Sequence, residues 1–290
     1  MNRPAGRALD ESVLTSIARD LSRRLKHHVW RLLHSAGYNV ASIAKQQAEA
    51  TRLARERWRW LETLGIGTLV DIGANTGQFA RQFLGVRPGC LVYSFEPLRD
   101  CFDELQRFAA DTAGLTAFNV ALGDSDGKAE FFRSEFSPSW SLLQMGESHK
   151  ELFPHTRKVS SDSVAVARLD NYCDHIAVRG GLLIKIDVQG AEAQVLKGGR
   201  RLLQSADAVL VEVGYLPPYD GQATIQEISE LLDESGLVFM GTVDEYLRPA
   251  DSLPMYGDAL FVRLSAMRGA GESLAGRNGY APVAGSSRVE

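Results

Sequence analysis

The sequence predicts an α/β protein, a parallel sheet with helices on both faces, and three observations carry that expectation. From Thr68 onward strand and helix patterns alternate: Thr68 to Ile72, a helix to about Leu84, Cys90 to Phe95, a helix over 98–110, then Leu115 to Val120. The strand segments are near-continuous apolar runs, as strands buried on both faces require. Several of these runs end in an acid and pass directly into a turn, as Thr68-Leu-Val-Asp-Ile-Gly-Ala-Asn-Thr-Gly-Gln-Phe79 does.

That last stretch organises the chain. It reads as strand, tight turn and helix, with Gly73 and Gly77 permitting backbone angles and a close ligand approach that a β-carbon would obstruct. A dinucleotide fingerprint needs glycine at its first, third and sixth places, and here those places hold Gly73, Asn75 and Gln78. No phosphate loop ending in Gly-Lys-Ser/Thr is present either. The turn therefore suits an adenosine-type ligand without a phosphate chain, with Asp71 placed to meet an ammonium group. S-adenosylmethionine fits that description. Downstream, Leu91 to Phe95 reads as the next strand and Glu96 closes it, about 20 positions beyond the turn, where an acid accepts ribose hydroxyls. Either feature alone would fit an ordinary strand end; together they favour the cofactor.

The 290 residues, 44% hydrophobic and 23% charged, suit one globular core with an appendage, and a net charge of -4 gives no global drive toward nucleic acid. Cys90, Cys101 and Cys173 form no close metal-ligand pair, and their odd number argues against a disulfide framework. Asp10 and Glu11 stand where a secretory signal needs an apolar core, so a cytoplasmic location is expected. The expected divisions are a helical extension over 1–65, the main domain over 66–265 and a disordered tail over 266–290. In the extension, Val13, Ile17, Leu21, Leu25, Val29 and Leu32 recur at helical spacing, and a second helix is expected over 42–64. Arg19, Arg23, Arg24, Arg52, Arg55 and Arg57 concentrate basic charge there. Docking on the main domain is the preferred reading, and peripheral contact with an anionic membrane is the alternative.

Beyond Val120 the alternation breaks. Ala121 to Gly127 is rich in turn formers, Lys128 to Arg133 reads as a short strand, and 134–158 has no clear period. A connection this long is more often functional than idle, and Ser137, Ser139, Trp140, Ser141, His149 and His155 are its chemistry-bearing residues. Val159 to Ala167 alternates as a half-exposed strand, and Arg168 opens a short helix. In Leu182-Leu-Ile-Lys-Ile-Asp-Val-Gln-Gly-Ala-Glu192, Asp187 falls at a strand end and Glu192 in the first helical turn, so both carboxylates are expected to face the crevice. Lys185 sits inside that strand, where a cation needs a carboxylate partner. Asp207 to Val213 repeats the apolar-then-acid pattern with Glu212. A last helix is expected around Ile225 to Leu232, followed by strands at Leu237 to Met240 and Ala259 to Leu264.

Taken together, Val-Asp-Ile-Gly-Ala-Asn-Thr-Gly at 70–77, Phe-Glu-Pro at 95–97, Asn-Val-Ala-Leu-Gly at 119–123, Arg-Leu-Asp at 168–170, Leu-Ile-Lys-Ile-Asp-Val-Gln-Gly-Ala-Glu at 183–192 and Gly-Asp-Ala-Leu-Phe-Val at 257–262 resemble the FkbM-type methyltransferases. The resemblance spans roughly residues 66–264, leaving out the N-terminal helices and the tail. It implies a Rossmann-like class I methyltransferase sheet ending in an antiparallel strand, S-adenosylmethionine as methyl donor, and a hydroxyl acceptor on a sugar or macrolide. Carried over by position, Asp71, Gly73, Asn75 and Gly77 would line the methionine end and Glu96 the ribose. Asn119, Ala121 and Leu122 would flank the adenine, with Asp187 to Glu192 near the transferred methyl. Glutamine stands at 189, where the family frequently has glutamate.

The reaction expected is attack by an acceptor oxygen on the sulfonium methyl. A neutral hydroxyl is a poor nucleophile, so a carboxylate base or a divalent cation held by oxygen ligands must assist. Asp187 is the first candidate base, with Glu192 and Glu212 behind it. An oxidoreductase of similar topology binding NAD(P) and a non-catalytic binding module docked through the basic helices are the rival readings. The residues do not specify the acceptor or the oligomeric state.

Overall fold

The computed structural model describes residues 52, 56–134, 140–141, 159–215, 221–248 and 250–267. The chain divides into units at 1–56 and 57–290, and the second is the main domain. Of the N-terminal helices, only a short helix α1 (Arg59–Thr63) and its approach belong to that domain; the first expected helix lies outside the described residues.

The main sheet is built from β1 (Ile66–Ile72), β2 (Leu91–Phe95), β3 (Leu115–Phe118), β8 (Gly181–Ile186), β9 (Ala208–Gly214), β10 (Leu237–Leu247) and β11 (Pro254–Arg263). Its order is β10-β11-β9-β8-β1-β2-β3. β3, β2, β1, β8 and β9 run parallel, whereas β11 is antiparallel to β9 and to β10. The strands at the centre read buried along nearly their whole length because helices cover both faces, as their unbroken apolar composition requires. The order reverses beside β1, where β2 and β3 lie on one side and β8 on the other. Open α/β sheets bind ligands at the carboxyl ends flanking such a switch point.

Helix α2 (Gln78–Val86) follows β1, and α3 (Arg99–Ala110) follows β2. Helix α4 (Glu192–Gly198) follows β8, and α6 (Ile225–Asp233) precedes β10, with the single turn α5 (Arg200–Leu203) between them. Helix α6 begins at a capping box in which Thr224 and Glu227 satisfy each other's backbone N–H groups. The core joins Val70, Ile72, Ile184, Ile186, Val209, Val211 and Phe261 of the sheet to Val195, Leu196, Ile228 and Leu232 of the helices.

Two differences from the sequence reading bear on the site. Ala121–Gly123, expected as part of a turn-rich stretch, is a strand, β4, and heads a second sheet of order β4-β7-β5-β6 with β5 (Gly127–Ser134), β6 (Trp140–Ser141) and β7 (Val159–Arg168). β4 is only three residues long, too short for a period to show among its turn formers. The closing strands are also much longer than their apolar patterns, because the outer half of the β10–β11 hairpin extends past the core and carries polar and aromatic residues. Most of the aperiodic 134–158 segment, with Ser137, Ser139, His149 and His155, lies outside the described residues, as do Pro217, Pro218 and residues 268–290.

Candidate active site

The turn after β1 is held from both sides. Gly73 and Ala74 donate backbone N–H bonds to the Phe95 carbonyl at 3.0 Å each, and Asp187 donates its N–H to the Ile72 carbonyl at 3.0 Å. A β-carbon at Gly73 would overlap the Asp187 carbonyl oxygen, and φ there is +80°. At Gly77, which caps α2 in the left-handed region, it would press on Leu105 and Phe108. Both glycines adopt the left-handed backbone angles that the sequence reading expects of them, and the protein's own packing also leaves no room for a β-carbon at either. Gly73 lines the cleft; Gly77 does not.

The cleft, of about 310 Å³, opens along the carboxyl ends of β1, β2 and β8. At one end stand Asp71, Phe79, Lys185 and Asp187, and at the other Glu96, Val120, Ala121 and Leu122. Asp71 is buried and its Oδ2 has no hydrogen-bond partner. Burial pushes its pKa up to about 7, against the attraction of Lys185 and with a smaller upward push from Asp187. An unpartnered buried carboxylate oxygen costs stability on its own and gives a ligand cation a strong partner.

Glu96 is also buried, and each of its oxygens accepts one backbone bond: Oε2 from Asn75 and Oε1 from Leu98, both at 2.8 Å. Burial nevertheless lifts its pKa to about 7. The carboxylate ties the β1 turn to the segment after β2, and each oxygen keeps acceptor capacity toward the cleft. Asn119 turns away from the cavity, its side-chain amide donating to the carbonyls of Glu96 and Pro97 at 2.9 Å. Its place is behind the Glu96 turn, while its neighbours Val120, Ala121 and Leu122 form the apolar wall.

At the other end a set of charges meets on one face of the sheet. Lys185 is buried, 3.0 Å from Asp187 Oδ2 and 3.8 Å from Asp258 Oδ1. Burial acts to lower its pKa, but Asp187, Asp258, Asp71 and Glu212 outweigh burial and hold the ammonium charged. Asp187 is 33% exposed. Burial acts to raise its pKa, yet Lys185, then the Gln189 amide, keep it below the ordinary carboxylate range. Glu212 moves the other way: burial, then the Asp187 charge, push its pKa well above the ordinary value. Gln189 Nε2 bonds both, at 2.9 Å from Asp187 Oδ1 and 2.7 Å from Glu212 Oε2.

Glu192 stands apart from this set. Its Oε1 accepts the N–H groups of Gly190 (2.9 Å) and Val188 (3.3 Å), so the carboxylate closes the turn between β8 and α4 and does not line the cleft. Sequence spacing put it in the first helical turn correctly, but the helix turns that position inward, where burial raises its pKa to about 7. Arg168 and Asp170 of the Arg-Leu-Asp motif are structural as well; Asp170 caps α5 by accepting the N–H groups of Arg201 and Leu202. Asp258 was not anticipated as a site residue, nor was the bridging role of Gln189. The available signal for Asp258 was an acid opening an otherwise apolar strand, the same kind of signal that singled out Lys185.

The residues do not fit a divalent cation. The Lys185 ammonium already lies among the carboxylates where a metal would have to sit, the Gln189 amide donor takes two of their oxygens, and among the described residues no three His, Cys, Asp or Glu side chains converge as ligands. They do fit S-adenosylmethionine: Asp71 offers an oxygen to its ammonium, Glu96 offers acceptors to the ribose, and Val120 to Leu122 offer an apolar wall to the adenine.

A family model for the methyltransferase FkbM domain matches residues 71–239. The 2-O-methyltransferase NoeI of Sinorhizobium fredii is 30% identical over 176 residues, which are 59% of this chain and 72% of that protein. The methyltransferase sdnD of Sordaria araneosa is 29% identical over 45% of this chain and 59% of its own length. Among solved structures, a methyltransferase FkbM from Methylobacillus flagellatus aligns with a TM-score of 0.44 at 18% identity, covering 68% of this chain and 43% of that one. With the family matched across more than half of the chain, the hydride-transfer and non-catalytic readings fall away: the chain belongs to the FkbM methyltransferase family and is an S-adenosylmethionine-dependent methyltransferase.

Proposed function

We propose that the chain methylates a hydroxyl oxygen, and that the hydroxyl belongs to a sugar in a glycan, glycolipid or glycosylated natural product. The observation that carries this reading is Asp187, a partly exposed carboxylate on the cleft wall, kept ionised by Lys185 and oriented by Gln189. Bound S-adenosylmethionine supplies an electrophilic methyl group on sulfur. Asp71 holds the ammonium end of that molecule, and Glu96 the ribose end. Asp187 then takes the acceptor's hydroxyl proton. A low pKa does not disqualify it, because the proton of an attacking alcohol becomes strongly acidic as the new C–O bond forms, and a fixed carboxylate suffices to receive it. Lys185 keeps this carboxylate ionised between turnovers.

The relative named a 2-O-methyltransferase supports oxygen as the target, and the concentration of carboxylate acceptors at the end of the cleft suits a polyhydroxylated substrate. We further propose a cytoplasmic setting, in keeping with an odd number of cysteines, three, which does not suit a disulfide framework.

The test is transfer of labelled methyl from S-adenosylmethionine to glycan fractions of a lysate, with the labelled site located by mass spectrometry. A methyl ether on a sugar is expected, lost by about 100-fold or more in Asp187→Asn, while affinity for S-adenosylhomocysteine stays within a few-fold of the parent. Label found only on nitrogen or carbon would overturn the reading.

A further inference from the structure

We propose that Tyr256, backed by Tyr246, forms the acceptor subsite: an aromatic platform on which a pyranose ring lies with its hydroxyls toward the carboxylates of the cleft. The proposal rests on the sugar reading above and adds where the sugar sits.

Strand register provides the geometry. Asp258 of β11 pairs with Glu212 of β9 on one side and with Asp244 of β10 on the other. Ile186 pairs with Val211, so Asp187, one step further, comes opposite Glu212 and extends this row of carboxylates to the cleft. Two residues further out on the same face, Tyr256 pairs with Tyr246 on one side and Gly214 on the other. The tyrosine rings stack in parallel, with centroids 4.8 Å apart and planes 7° from parallel, yet remain 39% and 40% exposed. Glycine on the β9 side places no side chain against Tyr256. The Tyr256 hydroxyl also feels the acid row: burial, then the Glu212 charge, with smaller contributions from Tyr246 and Asp187, push its pKa up to about 12.

The chemistry follows from the two rows. Rows two residues apart on a strand are separated by about 7 Å, roughly the span of one sugar ring with its hydroxyls. The electron-rich face of a tyrosine attracts the weakly positive C–H groups on one side of a pyranose. The acid row next to it accepts several hydroxyl protons at once, including the one facing Asp187. A flat aromatic acceptor would stack equally well but could not direct several hydroxyls at that row. Stacking on Tyr246 fixes the Tyr256 ring, so little side-chain freedom remains to be lost on binding.

The experiment is saturation-transfer NMR on the full chain loaded with S-adenosylhomocysteine, using methyl glycosides of glucose, mannose, galactose and rhamnose as probes, with catechol for contrast. Ring C–H protons of at least one glycoside should receive saturation. Tyr256→Phe should keep the signal and Tyr256→Ala reduce it about fivefold or more, as loss of an aromatic contact implies. Calorimetry should show S-adenosylhomocysteine bound as tightly as by the parent, because Tyr256 does not line the cofactor cleft. If Tyr256→Ala loses that binding too, Tyr246→Ala is measured against the same two outcomes. Glycoside signal indifferent to both tyrosines overturns the subsite while leaving the sugar reading intact. Tyrosine-dependent signal from catechol alone, or no glycoside signal at all, overturns the subsite, and a methyl ether on a sugar in the labelling assay would still uphold the sugar reading by itself.

Discussion

Asp187 and Glu212 are tied together by one amide, Gln189 Nε2, which lies 2.9 Å from an oxygen of the first and 2.7 Å from an oxygen of the second. Their pKa values are driven apart, Asp187 down by Lys185 and Glu212 up by burial and the Asp187 charge, and the amide donor sits between the two. Gln189 reaches this position from a left-handed backbone, φ 55°, in the turn that Glu192 closes from below.

Gln189→Glu should therefore be costly although it preserves shape. It replaces a donor by a third carboxylate beside two others. We expect destabilisation of about 2 kcal/mol at pH 8, a fall in Tm of about 4–8 °C, and a smaller fall at pH 5.5, where protonation relieves the repulsion. Thermal melts at the two pH values decide; equal Tm for parent and variant at both would reject the bridging role.

Lys185→Met should uncover the carboxylates that the ammonium now balances. Removing one partner of a buried charge set costs about 3 kcal/mol or more, which lowers Tm by about 6 °C or more. With Lys185 in the cation's position, methyl transfer by the parent should be unaffected by EDTA, and loss of activity that magnesium restores would show that a metal is needed after all.

Asp71 makes ligand binding depend on pH. In the unliganded chain its pKa is about 7, and a bound ammonium requires the ionised form. Affinity for S-adenosylhomocysteine should accordingly be flat above pH 7 and weaken by up to about tenfold per unit below it. Asp71→Asn should bind weakly at every pH, with that dependence reduced to the part that Glu96 contributes. Calorimetry from pH 5.5 to 8 measures both.

The same buried acids act on stability with the opposite sense. Asp71, Glu96 and Glu192, with pKa values of about 7, hold protons in the folded chain between pH 4 and 7 that the unfolded chain has released. Excess protons on the folded state mean that stability falls as pH rises through that window and levels off above it. The unliganded protein should melt higher at pH 5.5 than at pH 8, and S-adenosylhomocysteine should narrow the gap.

Gly73→Ala should unfold the turn without touching a ligand. The added methyl meets the Asp187 carbonyl at a residue with φ +80°, and destabilisation of about 3 kcal/mol or more is expected. Chemical denaturation measures it, and a loss below 1 kcal/mol would mean that β1 and β8 separate more easily than their shared backbone bonds suggest.

The sequence by itself determined the parallel sheet, the β1 turn and the acids at its strand ends. Those features are local: burial on both faces writes an unbroken apolar run, and the end of the run shows where Asp71, Glu96, Asp187 and Glu212 emerge. Only the tertiary structure decided what each acid does. Whether Glu192 faces the cleft or closes a turn depends on the rotation of one helical turn, which spacing does not encode. Why Gly73 must be glycine depends on the Asp187 carbonyl, 114 positions along the chain. Likewise, the row from Asp187 through Glu212 to Asp258, and the tyrosine pair beyond it, exist only because β11 inserts antiparallel between β9 and β10. Strand order and register are long-range quantities, fixed when the sheet closes and absent from any window of sequence.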